Sequence, residues 1–277
     1  MPNLDPRVNA FRTDLADETL RGQVDAKCFV KGALSQIAKP IAAILKRPEI
    51  DAPQTTQALL GETCFVYENM NGWAWVKLSR DHYVGYVESS ALNAEVLHAT
   101  HKVFVPSTLV YPKPDLKSGP VHFITRHAHV AVVAEHGAYV QLQSGGFVFK
   151  GHLAALQTHD QDFVAVAEDY LNVPYFWGGK SIYGIDCSGL VQTALQACGV
   201  DAPRDSDMQE QALGKLVAGP THMRRGDLIF WPGHVGIMQN ATQLLHANGH
   251  AMKTTSEPLA DVVARSEKPI TAIKRLD

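Results

Sequence analysis

Cysteine is scarce in this chain. Cys28, Cys64, Cys187 and Cys198 are the only four in 277 residues, and no Cys-x-x-Cys pair occurs. That pattern excludes a disulfide-dense scaffold and a zinc-finger framework, and fits reduced thiols in a cytoplasm. An excess of one charge is also missing. Lys and Arg total 25 against 28 Asp and Glu, a formal net charge of −3. With no basic run, neither nucleic acid nor an anionic membrane is expected as a partner, because counterion release needs clustered positive charge. Long apolar runs are absent too. Stretches such as Ile41–Leu45 fall far short of the roughly 18 residues a membrane span needs, so no membrane segment is expected. The first twenty residues carry Asp5, Asp14, Asp17 and Glu18 and lack a basic segment followed by an apolar one; the expectation is a cytoplasmic protein. What is present is ordinary globular composition, 45% hydrophobic and 19% charged. It suffices for one large domain or two to three small ones.

Residues 1–28 read as a polar arm, with a helical turn expected around Thr13–Leu20 and Thr13 or Asp14 as its cap. From Gly61 to Leu92 the pattern changes to short runs rich in aromatic and β-branched residues. Cys64–Tyr67, Trp73–Leu78 and Tyr83–Val87 read as strands joined by Asn-, Asp- and Gly-containing turns. The cadence returns in Val130–Val133, Gly137–Leu142 and Gly146–Lys150, so two similar all-β units are expected in tandem. Tyr67, Trp73, Trp75, Tyr83 and Tyr86 either line a peptide groove or fill the interior of barrels this small. After Leu156 the pattern is mixed. Asp162–Leu171 places Phe163, Val166, Ala167 and Tyr170 on one helical face and stops before Pro174. A second helix is predicted from about Ser188 to Cys198, ended by Gly199. Asp227–Trp231, His234–Met238 and Gln243–His246 read as an antiparallel meander, so the expected fold class is α+β.

Cys187 opens that second helix behind a Gly-rich approach, Gly178, Gly179 and Gly184. A helix N-terminus presents unpaired N–H groups that lower a thiol pKa and can hold an oxyanion. Cys28, Cys64 and Cys198 lack this setting and read as structural. A nucleophilic thiol needs a base. If the hairpin is centred on Asn240, residues whose numbers sum to 480 face each other, and His234 lies opposite His246. One imidazole can then act as base while the other orients it. A slip of one residue would separate them. Partly buried histidines without a chemical role remain open, as does a zinc site of Cys187, His234 and His246, although the spacing carries no metal signature.

The string Tyr175-Phe-Trp-Gly-Gly179, Asp186-Cys-Ser-Gly-Leu-Val191, Pro203-Arg-Asp-Ser206, Gly226-Asp-Leu-Ile-Phe230, His234-Val-Gly-Ile237 and His246-Ala247 resembles the NlpC/P60 family of papain-like cysteine peptidases, in order over residues 162–250. The β cadence over about residues 29–156 resembles the bacterial SH3-like barrel. The resemblance implies a papain-like catalytic domain over 157–277, preceded by the arm (1–28) and two small SH3-like barrels (29–95 and 96–156). It implies Cys187 as nucleophile, His234 as base, His246 as the orienting residue, Tyr175 near the oxyanion, and no cofactor or metal. Tandem barrels before such a domain resemble γ-D-glutamyl-L-diamino acid endopeptidases, which cut murein stem peptides that keep a free N-terminal L-Ala. In that subgroup Asp205, Asp186, Ser188, Ser206 and a barrel tyrosine, matched here to Tyr83, belong to the substrate pocket. Glu49 and Glu68 are candidates for the barrel's acid.

A carboxylate that selects a free amine over an amide has a physical basis, since an ammonium in a closed cleft needs a charged partner. Asp205 and Asp186 also stand where helix N-caps are expected. The implied function is recycling of murein peptides in the cytoplasm. A wall-peptide binding module without catalysis, and an amidase or acyltransferase on a papain-like fold, are the rival readings. Nothing in the sequence sets the oligomeric state.

Overall fold

The computed structural model describes residues 4–217 and 223–276. The chain divides into two compact units, Met1–Gln157 and Thr158–Asp277. Among the described residues the first is built of strands and short 3-10 turns, the second of four α-helices, a six-stranded sheet and a two-stranded one, Lys180–Ser181 with Gly184–Ile185, an α+β composition. No helix among the described residues is long and apolar enough to cross a membrane.

In the first unit seven antiparallel strands form one sheet in the order Gln54–Leu59, Ile41–Leu45, Val84–Glu88, Trp73–Leu78, Thr63–Met70, Ala33–Ile37, Leu92–Asn93. Alternation of side chains puts Ile37, Ile44, Cys64, Val76, Leu78 and Val87 into one core, as period-2 patterning requires. Tyr83 belongs to this core and is only 4% exposed. That corrects the expectation of a substrate-facing tyrosine, because a ring packed among barrel residues has no open face for a ligand. Of the other aromatics, Tyr67 and Trp75 are buried, while Trp73 and Tyr86 are half-buried.

The arm also differs from expectation. Leu15–Asp17 is a strand paired in parallel with Cys28–Val30, followed by a 3-10 turn at Glu18–Leu20. Ala10 and Leu15 share a small core with Tyr67 and Trp75. The Tyr67 hydroxyl donates to Asp17 at 2.7 Å. The Arg12 guanidinium lies 4.4 Å from the Trp75 ring and pairs with Glu68 at 2.9 Å. Too few apolar residues mark this segment for periodicity to register; cation–π and ion-pair contacts hold it instead. Glu68 is thereby committed to Arg12, and exposed Glu49 lies 3.4 Å from Arg47.

A second group of strands follows in the same unit. Five form an antiparallel sheet, His122–Thr125, Ser107–Tyr111, Phe147–Phe149, Tyr139–Leu142, Val132–His136, and three more, His129–Val130, His101–Val103 and Leu153–Ala155, form another. They enclose Val103, Val110, Ile124, Val140 and Val148. Gly61, at φ +79°, joins this group to the first sheet, since a Cβ there would lie 2.1 Å from the His129 carbonyl oxygen. Only glycine fits so close an approach.

In the second unit helix α1 (Phe163–Glu168) is capped by Asp162, whose carboxylate accepts from the Val164 and Ala165 N–H groups. It ends sooner than periodicity suggests, because the next turn tightens and Asn172 takes φ 67°. Helix α2 (Cys187–Ala197) and the short α3 (Ser206–Ala212) follow. The sheet comprises β1 (Lys215–Leu216), β2 (Leu228–Trp231), β3 (His234–Met238), β4 (Gln243–Asn248), β5 (Lys253–Pro258) and β6 (Ala272–Arg275), in spatial order β1-β6-β2-β3-β4-β5. Leu228, Phe230, Val235 and Ile237 pack with Leu190, Val191 and Ala194 of α2. Ile229, Trp231 and Met238 alternate with them and pack with Val262 of α4 (Leu259–Arg265).

Candidate active site

Asp186 fixes the start of α2. Its Oδ1 accepts from the Gly189 N–H at 2.7 Å, its Oδ2 from the Gly178 N–H at 2.8 Å, and Arg204 grips both oxygens at 2.9 and 2.7 Å. Arg204 is 1% exposed and also donates to the Ser188 hydroxyl at 3.0 Å. The cap needs the chain before the helix to pass very close, and a Cβ at Gly189 would meet the Gly179 carbonyl oxygen at 2.3 Å. This arrangement corrects two expectations. The acceptor capacity of Asp186 is spent on N–H groups and Arg204, and Ser188 is buried within the same ion pair. Both hold the nucleophile's helix and do not face a substrate.

Cys187 is 6% exposed at the first position of α2. The backbone of Val235, the residue after His234, and that of Ser188 lie near enough to favour its thiolate. The thiol therefore sits at the N-terminal end of β3. Burial, with Asp186 adding to it, pushes the thiol up to about 12, and the Val235 and Ser188 backbone and Arg204 only partly oppose this. The expected lowering by the helix N-terminus does not prevail, because desolvation of a buried thiolate outweighs a partial dipole charge.

His234 and His246 lie on one face, His234 Nε2 at 2.8 Å from His246 Nδ1. The route differs from the expected register. Ile237 pairs with Leu245 and Met238 with Leu244, so paired numbers sum to 482 and the hairpin centres on Ala241. Asn240 Oδ1 accepts from the Thr242 and Gln243 N–H groups and closes a longer loop. A shift of two in the sum keeps side-chain parity, so the histidines become diagonal neighbours without losing their shared face. Burial is the first cause lowering both: His234 falls to about 3, with charge repulsion from His246 and Arg265 adding, and His246 is lowered as well. His234 Nε2 and His246 Nδ1 are turned toward each other; among the described residues no group of three or more His, Cys, Asp or Glu side chains is placed so that it could hold a metal ion.

Two residues that sequence reasoning missed complete the cluster. Glu257 on β5 lies 2.8 Å from His246 Nε2, and Arg265 of α4 grips Glu257 at 2.5 and 2.7 Å. Pairing the β4–β5 hairpin, in which His246 faces Thr255, would have found Glu257 one step along the same face.

Tyr175 is half-buried beside the core, its N–H bonded to the Met252 carbonyl. Burial and the nearby Cys187 and Asp186 raise its hydroxyl pKa, keeping it a neutral donor close to the thiol. Asp205 and Ser206 are half-buried at the start of α3, and the Asp205 side chain does not cap that helix. Gln209 of α3 donates to the Ser188 and Pro203 carbonyls at 2.9 and 2.8 Å, tying α3 to α2.

Residues 172–265 match the NlpC/P60 family, and residues 44–92 match the bacterial dipeptidyl-peptidase Sh3 domain. A γ-D-glutamyl-L-lysine dipeptidyl-peptidase of Bacillus cereus is 28% identical over 64% of this chain and 59% of its own length. One of the same name from Bacillus subtilis is 27% identical over 79% of this chain and 80% of its own. The crystal structure of an NlpC/P60 family protein from Bacillus cereus superposes with a TM-score of 0.72 at 19% identity, covering 87% of this chain and 99% of that one, a likeness of fold. The chain thus carries an NlpC/P60 cysteine-peptidase domain, with a bacterial dipeptidyl-peptidase SH3 domain ahead of it.

Proposed function

We propose that this peptidase hydrolyses the amide between γ-D-Glu and a diamino acid, diaminopimelate or Lys, in murein-derived peptides that keep a free N-terminal L-Ala. The carrying observation is the placement of Cys187 against the Val235 backbone, with the neighbouring His234 tied to His246. The names of the Bacillus relatives support the γ-glutamyl bond as target. Residues 96–156 are read as a second SH3-like barrel.

In the reaction, Cys187 is the nucleophile and His234 the base. The thiol proton passes to His234 as sulfur attacks the γ-carbonyl carbon. The oxyanion is met by N–H groups of the first turn of α2 and by the Tyr175 hydroxyl. The C–N bond then breaks, and His234 returns the proton to the departing amine. Water attacks the thioester, gives a proton to His234 and releases the acid with the thiol restored. Asp205, half-buried at the start of α3, is the carboxylate read as pairing with the substrate ammonium.

A cytoplasmic recycling role belongs to the same reading; it is supported by the four cysteines, none of which is in a disulfide.

The test is mass spectrometry of products from L-Ala-γ-D-Glu-diaminopimelate and from its N-acetylated form. Release of L-Ala-γ-D-Glu and diaminopimelate from the free-amine peptide alone is expected. Equal cleavage of both would remove amine selection; cleavage of neither, or wild-type turnover by Cys187→Ala, would overturn the reading.

A further inference from the structure

The catalytic pair does not end at His246. We infer that Glu257, held by Arg265, sets the tautomers of both histidines so that His234 offers an unprotonated Nδ1 to Cys187; both are positioning residues. This rests on the thiol-peptidase reading above. The logic is one of donors and acceptors. Arg265 has only donors, and its two nitrogens at 2.5 and 2.7 Å require Glu257 to accept at both oxygens. The Thr255 hydroxyl accepts from Asn248 and donates to Glu257 Oε1 at 3.3 Å. Hydrogen bonding to Arg265, the largest cause, brings the Glu257 carboxyl down to about 2, so it is an acceptor throughout the working range.

His246 Nε2, 2.8 Å from Glu257 Oε1, must therefore carry the proton. Burial keeps the His246 ring neutral, which leaves its Nδ1 a bare acceptor. The 2.8 Å contact with His234 then requires His234 Nε2 to donate. In a neutral ring one nitrogen remains, and His234 Nδ1 is the free lone pair. The charged and titratable groups facing His246 are His234 from β3, Glu257 from β5 and Arg265 from α4. When His234 takes the thiol proton, its new charge is spread through His246 toward a carboxylate that cannot itself become protonated. The opposite order of tautomers would put a proton on His234 Nδ1 and leave Cys187 without a base.

Glu257→Gln tests this. Arg265 holds the amide oxygen, turns the –NH2 toward His246 Nε2 and reverses both tautomers. The expected result is a fall in kcat on the order of 10²–10⁴-fold, the usual worth of general acid–base catalysis, with little change in KM. Adding Arg265→Leu frees the amide to turn its oxygen back to His246, and part of kcat returns. Two readouts need no substrate. Nitrogen-15 NMR of histidine-labelled enzyme should show His234 Nδ1 unprotonated in wild type and protonated in Glu257→Gln, and iodoacetamide modification of Cys187 at pH 7 should slow in the variant.

A protonated His234 Nδ1 in wild type, or loss of activity in Glu257→Gln with unchanged tautomers, overturns the inference. So does an unchanged kcat. The expected tautomers and alkylation profile in an enzyme that cleaves no γ-glutamyl peptide would support the inference while sinking the substrate reading.

Discussion

Arg204 shows how much of the site's geometry hangs on one residue buried behind the start of α2. It is buried against Asp186, Ser188 and the Gly179 carbonyl, and its removal strands a buried carboxylate at the N-terminus of α2. Arg204→Leu is expected to cost about 3–5 kcal/mol, read as a lower urea midpoint of the peptidase unit. Adding Asp186→Asn, which keeps the cap but removes the stranded charge, should restore part of it. At Asp205 the expected loss is in recognition: Asp205→Asn should raise KM for the free-amine peptide about 10–100-fold, the worth of one charged hydrogen bond, and leave kcat nearly unchanged. Steady-state kinetics on the free and acetylated peptides separates the two. The place of Cys187 at a helix start and the shared face of His234 and His246 were legible, because Gly-rich turns and strand alternation are local signals. Glu257 and Arg265 were not, since a Glu on an exposed edge strand and an Arg at a helix end look like ordinary surface charge until β5 and α4 are placed.

The β3–β4 hairpin illustrates what pattern alone can do for an element. Strand identity and the shared face of His234 and His246 followed from alternation, whereas the register did not, because Asn240 closes a loop centred one residue later than expected. Asn240→Ala removes the acceptor for two loop N–H groups and should destabilise by about 1 kcal/mol, with the His234–His246 contact preserved in the folded state; thermal unfolding and histidine NMR report the two effects. The arm was illegible for a different reason. Its strand Leu15–Asp17 is three residues long and gains its place from Arg12 over Trp75 and Tyr67 on Asp17, contacts with no sequence period. Gly61→Ala should be costly, because both the positive φ and the approach of His129 forbid a side chain; a collapse of the thermal transition of unit Met1–Gln157 is the expected reading.

Both units carry histidines that burial keeps neutral, His129 down at about 4 in the first and His234 at about 3 in the second, from 6.5. In each case the unfolded chain binds the proton at higher pH than the folded one, so stability is full above pH 6.5 and is lost as pH falls toward 3–4. The thiols of Cys64 and Cys187 are pushed the other way, from 9.0 up to about 12, and their contribution fades as pH rises from 9 toward 12. Denaturant midpoints should therefore form a plateau between about pH 6.5 and 9; a midpoint still rising as pH falls to 4 would contradict this. The sequence alone determined the α+β class, the order of β and mixed segments, the thiol at a helix start and the two imidazoles on one face, because periodicity and turn chemistry are local. Only the tertiary structure decided that the arm packs on the first sheet, that Tyr83 is core, that Asp186 belongs to Arg204, and that Glu257 stands behind His246. Those outcomes depend on burial and on partners distant along the chain, where desolvation and hydrogen-bond saturation choose among roles that the residue types leave open.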